Sequence, residues 1–373
     1  SRNIGIGYNV RAQTAGTNQS ASGDNIGIGY NALGGDWTNA AEKNIAIGSY
    51  VFDDALAAAD KNIGIGYQVG TVATTAVDNV IIGNQAVLAI TSNTLNVVIG
   101  GGAFAAADGG EDANVVIGHG AGDLIDNGGS DGNVLIGFDA GLGGDAAMLS
   151  CVVIGRDAMR ATAGNAQTGT VAVGKDALSA LTAGLGNTGI GYLAGAALTT
   201  GTGNTALGYQ AMSQAMDVGD SNTAVGRNAL YSLNPDGNDE GKNSSLGSSA
   251  GYTLTTGTEN TYIGESAGYY NATGDNNVVV GQNAGGSQGA GSNSNNTAVG
   301  RSAMSDLTSG GNNTCIGMGS GKDISTGNEN VAVGGETCGY ASSNPLTGTG
   351  NVVMGYQAGR VMEAASNSNV LIG

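Results

Sequence analysis

The sequence predicts a parallel β-solenoid, β-rich and fibrous, and three observations carry that reading. A five-residue phrase, Asn followed by three mostly apolar residues and Gly, recurs along the whole chain. Asn114-Val115-Val116-Ile117-Gly118 is one copy and Asn222-Thr223-Ala224-Val225-Gly226 another. Its closing glycines number 21, from Gly7 to Gly373, at intervals of 17–22 residues. Finally, the 373 residues include 70 Gly and 2 Pro, 40% apolar and 11% charged, which excludes collagen and a disordered polyampholyte. A repeat this regular reads as a stack of about 20 coils, each unable to bury its apolar face alone. Residues 1–373 are therefore one repeat domain, expected to be a segment of a longer fibre.

Within each coil the phrase itself is the strand. The residue before the anchor Gly is aliphatic, as in Ile6, Val225 and Met354, and the residue two earlier is β-branched except at Ser244. These two share a face, which is assigned to the coil interior. The middle residue then points away, and it too is apolar: Ile81, Val98, Val116, Leu135, Val153, Val279, Cys315 and Val353. An apolar stripe of that length needs a cover, so these side chains are the expected assembly interface between parallel copies of the chain.

Asn opens 19 of the 21 phrases, Cys151 and Thr170 being the exceptions. It suits a corner, and stacked in register it should form an amide ladder. After the anchor, Ala stands three residues on, then Gly or a large apolar residue, then another apolar residue three further, as in Ala177-Leu178 and Leu181. That spacing favours a short helical turn with Asp176, Asn228 and Ser302 as N-caps; a second short strand is the alternative. Polar Gly-rich returns close each coil and absorb the variation in length.

The phrase also resembles known arrays. Asn204-Thr205-Ala206-Leu207-Gly208-Tyr209-Gln210-Ala211 and Asn351-Val352-Val353-Met354-Gly355-Tyr356-Gln357-Ala358-Gly359 are similar to the head repeat of trimeric autotransporter adhesins. They are closer still to Asn-Thr-Ala-Ile-Gly-Tyr-Gln-Ala-Gly arrays of bacteriophage tail fibres and related bacterial surface proteins. The resemblance implies an extracellular trimeric parallel solenoid, a stiff spacer or adhesive head on a virion or a bacterial surface. Autotransporter head coils are shorter, so a larger cross-section is expected here.

The chemistry points the same way. A net charge of −18 argues against nucleic acid or an anionic membrane as partner, and no apolar run is long enough to span a bilayer. Three cysteines in three repeat positions suggest neither a disulfide framework nor a zinc site, and buried thiols are expected. The single histidine, His119, is read as a surface residue. Acidic pairs are weighed because polysaccharide-cleaving tailspikes use two carboxylates. Asp53, Asp54, Asp108, Glu111, Asp112, Asp123, Asp126 and Asp131 are candidates, yet they sit among turn formers. The loop from Asp126 to Asp131 has oxygen ligands of the kind Ca²⁺ takes, but the Gly-Gly-x-Gly-x-Asp nonapeptide does not recur. No enzyme, cofactor or metal site is expected.

One column stands out for binding: Tyr8, Tyr30, Tyr67, Tyr192, Tyr209 and Tyr356 each follow an anchor Gly. Tyrosines at coil spacing can stack on sugar rings or simply stiffen the stack. The expected function is a non-enzymatic fibre or adhesin segment that presents glycan-binding surface. A polysaccharide-degrading tailspike is the alternative, and an ice-binding solenoid a more remote one, because its Thr column is placed on the inward face.

Overall fold

A computed structural model describes residues 2–10, 22–35, 40–54, 56–144, 146–162, 164–214, 219–234, 241–286, 291–339, 345–362 and 365–373. The chain divides into two compact units, Ser1–Gly186 and Asn187–Gly373. Each is a parallel β-solenoid with no helix among the described residues. The first stacks short strands from Ile4–Ile6 to Val171–Val173, and the second from Thr188–Ile190 to Val370–Ile372. Neighbouring coils pair in parallel and in register: Val97 with Val115, Val98 with Val116, Ile99 with Ile117.

The opening Asn builds the ladder that its in-register repetition implies. The Oδ1 of Asn44 accepts from the backbone N–H of Asn62 at 2.9 Å and from its Nδ2 at 3.1 Å. That same Nδ2 donates onward to the Ala76 carbonyl at 2.7 Å. The motif repeats through Asn296, Asn313 and Asn330 in the second unit. These amides are buried, so each bond satisfies a group that would otherwise cost about 1–3 kcal/mol. At Cys151 the ladder loses its amide, although the backbone N–H still reaches Asn133 Oδ1 at 2.9 Å.

The anchor must be glycine for two reasons. Gly118 has φ +145°, and a Cβ there would lie 2.1 Å from the carbonyl oxygen of Gly137 in the next coil. The same conflict recurs from Gly7 to Gly355.

The strand faces are the reverse of the expectation. The middle residues Ile81, Val98, Val116, Leu135, Val153, Val279, Cys315 and Val353 are buried inside their own coils, at 0–4% exposure. They cannot be an interface with another chain. The flanking residues, such as Val115 and Ile117, are the half-exposed ones. Alternation alone could not choose, because both faces of these strands are apolar; shifting the assignment by one residue exchanges them.

Core packing makes the choice, through the residue four past the anchor. Where the strand centre is small, that residue is large: Gly27 with Leu33, Ala172 with Leu178, Ala224 with Leu230, Ala298 with Met304. Where the centre is large, it is often Gly: Leu135 with Gly141, Val279 with Gly285, Val353 with Gly359. A Cβ on Gly141 would meet Leu135 at 2.8 Å. The two positions share one fixed volume, as close packing requires.

The segment after the anchor is not helical. Residues two and four past it adopt left-handed backbone, as at Asp176 (φ +55°) and Leu178 (φ +50°). Asp176, Asn228 and Ser302 are thus not N-caps; small polar side chains tolerate the left-handed region. These residues bond across coils instead: Asn228 N–H donates to the Tyr209 carbonyl at 2.9 Å, and Leu230 N–H to that of Ala250 at 3.0 Å. Leu178 and Leu230 incur strain of roughly 1–2 kcal/mol, which full burial of a Leu, worth about 1.5–3 kcal/mol, offsets.

Candidate functional site

Two ladders of tyrosine lie on the surface. Tyr8, Tyr30, Tyr67, Tyr192, Tyr209 and Tyr356 are all exposed, Tyr8 and Tyr356 most of all at 72% and 69%. Tyr8 stacks on Tyr30 with centroids 5.3 Å apart, and Tyr50 joins edge-on between Tyr30 and Tyr67. In the second unit Tyr192 stacks on Tyr209 at 5.4 Å. Tyr356 lies over Gly335, where a Cβ would stand 3.4 Å from its ring, and stacks on no ring among the described residues. Tyr67 belongs to the strand Ile63–Tyr67 and shares its outward face with Ile63 and Ile65. This column therefore extends the apolar strand face.

In other coils the same position carries His119, exposed and stacked on Phe138 at 5.4 Å, and Arg156, whose guanidinium lies 5.5 Å from the Phe138 ring centroid. Arg156 also pairs with Asp157 at 3.1 Å.

The second ladder escaped the sequence reading. Tyr231, Tyr252 and Tyr269 each stand five residues past an anchor. Their rings stack at 5.0 and 4.9 Å, and Tyr270 closes edge-on at 4.5 Å. Burial pushes the Tyr269 phenol above its ordinary value, with Tyr252 and Tyr270 adding to the effect. Beside the ladder lies an open cleft of about 520 Å³, lined by Tyr269, Tyr270, Asn283, Ser305, Asp306 and Lys322 among others. Two aromatic faces with hydroxyl, amide and charged groups around them suit a polyhydroxylated ligand. Comparing residues at equal distance from successive anchors would have revealed the column.

The acidic candidates described fall into three groups. Asp112 and Asp131 are turn residues: Asp112 accepts from Thr94 N–H at 2.6 Å, and Asp131 from Asp112 N–H at 2.8 Å. Asp60, Asp220 and Asp275 do the same six residues before their anchors. Asp53 and Asp123 are held above the usual carboxylate range, chiefly by burial and secondarily, for Asp123, by Asp139. Asp108, Glu111 and Asp126 come together, one carboxylate oxygen from each lying within 4.8 Å of the others. The cysteines Cys151, Cys315 and Cys338 are free and buried.

Fold and surface thus define a parallel β-solenoid with tyrosine ladders on its outside. No family model matches this chain, and no curated protein matches its sequence.

Proposed function

We propose that this chain is a non-enzymatic segment of a fibre or adhesin, of the phage tail-fibre or bacterial surface kind. In this reading it assembles as a parallel homotrimer outside the cell and offers tyrosine-lined surface to glycans. The observation that carries the reading is the outward strand face of the first unit. From Ile4–Ile6 to Val171–Val173 its first and third positions are only Ile or Val, half-buried to exposed in the single chain. A continuous aliphatic column of that kind calls for a cover, and identical chains in parallel register supply one by cyclic symmetry. The interface is thus the set that flanks Val98 and Val116, not those residues themselves. Glycan contact falls best to Tyr252, Tyr269, Tyr270 and their cleft, since the first column runs on from the strand face.

Light scattering tests the assembly. A trimer has a mass of about 109 kDa, three times 36.3 kDa, and Ile65→Glu with Val115→Glu should reduce it to one chain. A wild-type monomer overturns the trimer. For the glycan, Tyr269→Ala should abolish retention on immobilised host lipopolysaccharide, and equal retention refutes that assignment. New reducing ends released from the same polysaccharide would favour the tailspike instead.

A second reading gains from the corrected strand faces. In the second unit Thr188, Thr205, Thr223, Thr261, Thr297 and Thr314 occupy the outward first position, paired in register with their neighbours. An outward Thr array at a strand spacing of about 4.8 Å is the surface an ice-binding solenoid presents. Thermal hysteresis by a monomeric chain would favour this reading, and its absence would remove it.

A further inference from the structure

Glu111 places a carboxylate at a buried position of the first unit's coils. Seven residues before the anchor, other coils carry Ala41, Ala59, Ala76, Asn93, Ser130 and Met148, all buried. Their backbone carbonyls accept from the Asn ladder, and Glu111 conforms, its carbonyl taking the Asn96 amide at 2.7 Å. Its side chain is nevertheless a carboxylate at 0% exposure. Oε2 accepts from Asn93 Nδ2 at 2.7 Å and from Gly109 N–H at 3.0 Å. Oε1 is buried with no hydrogen-bond partner, and so is Oδ1 of Asn93. The Asn93 orientation follows for an ionised Glu111, since the flipped amide would then set oxygen against oxygen.

A buried carboxylate oxygen without a partner is costly and calls for a cation or a proton. No Lys or Arg answers it: Asp108, Glu111 and Asp126 take part in no ion pair among the described residues. Instead two exposed carboxylates face it, Asp108 from its own loop and Asp126 from the next coil. Paired glycines make that approach feasible. A Cβ on Gly128 would lie 2.9 Å from the Gly109 carbonyl oxygen, and one on Gly110 3.0 Å from that of Gly128. Gly109 in turn lies so close to Thr91 Oγ1 that a Cβ would stand 2.3 Å from it. The backbones touch, and three acidic side chains converge where like charges repel.

We infer that Asp108, Glu111 and Asp126 form a Ca²⁺ site that clamps two successive coils of the first unit. The donors are all oxygen, the preference of a hard cation. Coordination habit separates the candidates. Ca²⁺ takes about 6–8 oxygens in flexible geometry, which suits three convergent carboxylates, whereas Mg²⁺ demands a near-ideal octahedron and is usually held by only one or two. Asn93 and Gly109 N–H act as positioning groups, holding Oε2 and leaving Oε1 for the ion; water completes the shell on the exposed side.

The test is calcium titration of the EDTA-treated full chain by calorimetry, with circular dichroism on every variant. The expected result is one Ca²⁺ per chain and a higher melting temperature with calcium. Asp126→Asn, an exposed change, should stay folded and weaken binding by about tenfold or more. Glu111→Gln should fold and bind no calcium. Absence of uptake by folded wild type, or uptake unchanged in Asp126→Asn, overturns the site. Displacement of Ca²⁺ by an equal concentration of Mg²⁺ overturns the assignment of the ion.

Discussion

The Asn271 side-chain amide donates a 2.8 Å hydrogen bond to the hydroxyl of Tyr262, and both residues are buried. Tyr262 occupies the strand centre, where other coils place an aliphatic or small residue, and it is the largest fully buried side chain among the described residues. Its neighbours make room: a Cβ on Gly251 would lie 2.9 Å from the ring and one on Gly268 2.4 Å. Tyr262→Phe keeps the ring and leaves Asn271 Nδ2 only a 3.4 Å contact with the Asn293 carbonyl. The expected cost is about 1–2 kcal/mol, against roughly 3–5 kcal/mol for Tyr262→Ala. Urea unfolding monitored in the second unit checks the ranking, and equal losses would deny the bond a role.

Glycines that look alike in the sequence should differ sharply in their tolerance of a side chain. Gly118 and Gly102 both have positive φ, yet a Cβ on Gly102 meets nothing within 4 Å. Gly102→Ala therefore carries only left-handed strain, about 1 kcal/mol. Gly118→Ala adds a collision with the Gly137 carbonyl and must open the coil spacing, costing more than about 3 kcal/mol. Paired melting curves would show the difference.

Much of this fold was readable in the residues, and the limits of that reading have physical causes. The period, the parallel register and the Asn ladder follow from Asn and Gly at fixed spacing, because few other side chains satisfy those corners. The inward face did not follow, because Val115, Val116 and Ile117 are all apolar and alternation has no preference among them. The spacing of Ala177, Leu178 and Leu181 imitates a helical turn, although left-handed residues at 176 and 178 direct the same side chains inward. Of the binding surface, the tyrosines beside the anchors were evident. Tyr231, Tyr252 and Tyr269 needed alignment by coil position, and Glu111 stands out only against the uncharged Ala, Ser, Met, Asn and Gln of its own column in the first unit.

The corrected face yields a direct comparison of neighbours. Val116 is fully buried and Ile117 half-exposed. Val116→Asp puts an unpaired charge into the core and should abolish folding of the first unit. Ile117→Asp leaves the carboxylate in water on the single chain, so the unit should fold, with the loss appearing in assembly. Circular dichroism of both variants decides it; the opposite ranking would restore the original face assignment.

Alkaline pH should weaken the second unit, and the sign follows from its buried acids. Burial pushes the Cys338 thiol up to about 12, with nearby Asp323 adding to the rise. Burial likewise raises the Cys315 thiol and the Tyr262 phenol, the latter against the opposing hydrogen bond from Asn271. In the unfolded chain a thiol ionises near about 8.5 and a phenol near about 10. Above those values the unfolded state has lost protons that the folded state retains, so raising the pH favours unfolding. Stability from Cys338 is thus complete below about 8.5 and falls as pH climbs towards 12. Each such group adds a slope of up to about 1.4 kcal/mol per pH unit. Unfolding measured under reducing conditions from neutral to alkaline pH should show this decline. Cys338→Ala should begin less stable, from the lost volume, yet decline less steeply. A variant with unchanged slope would mean that the Cys338 thiol ionises as readily in the folded chain as in the unfolded one.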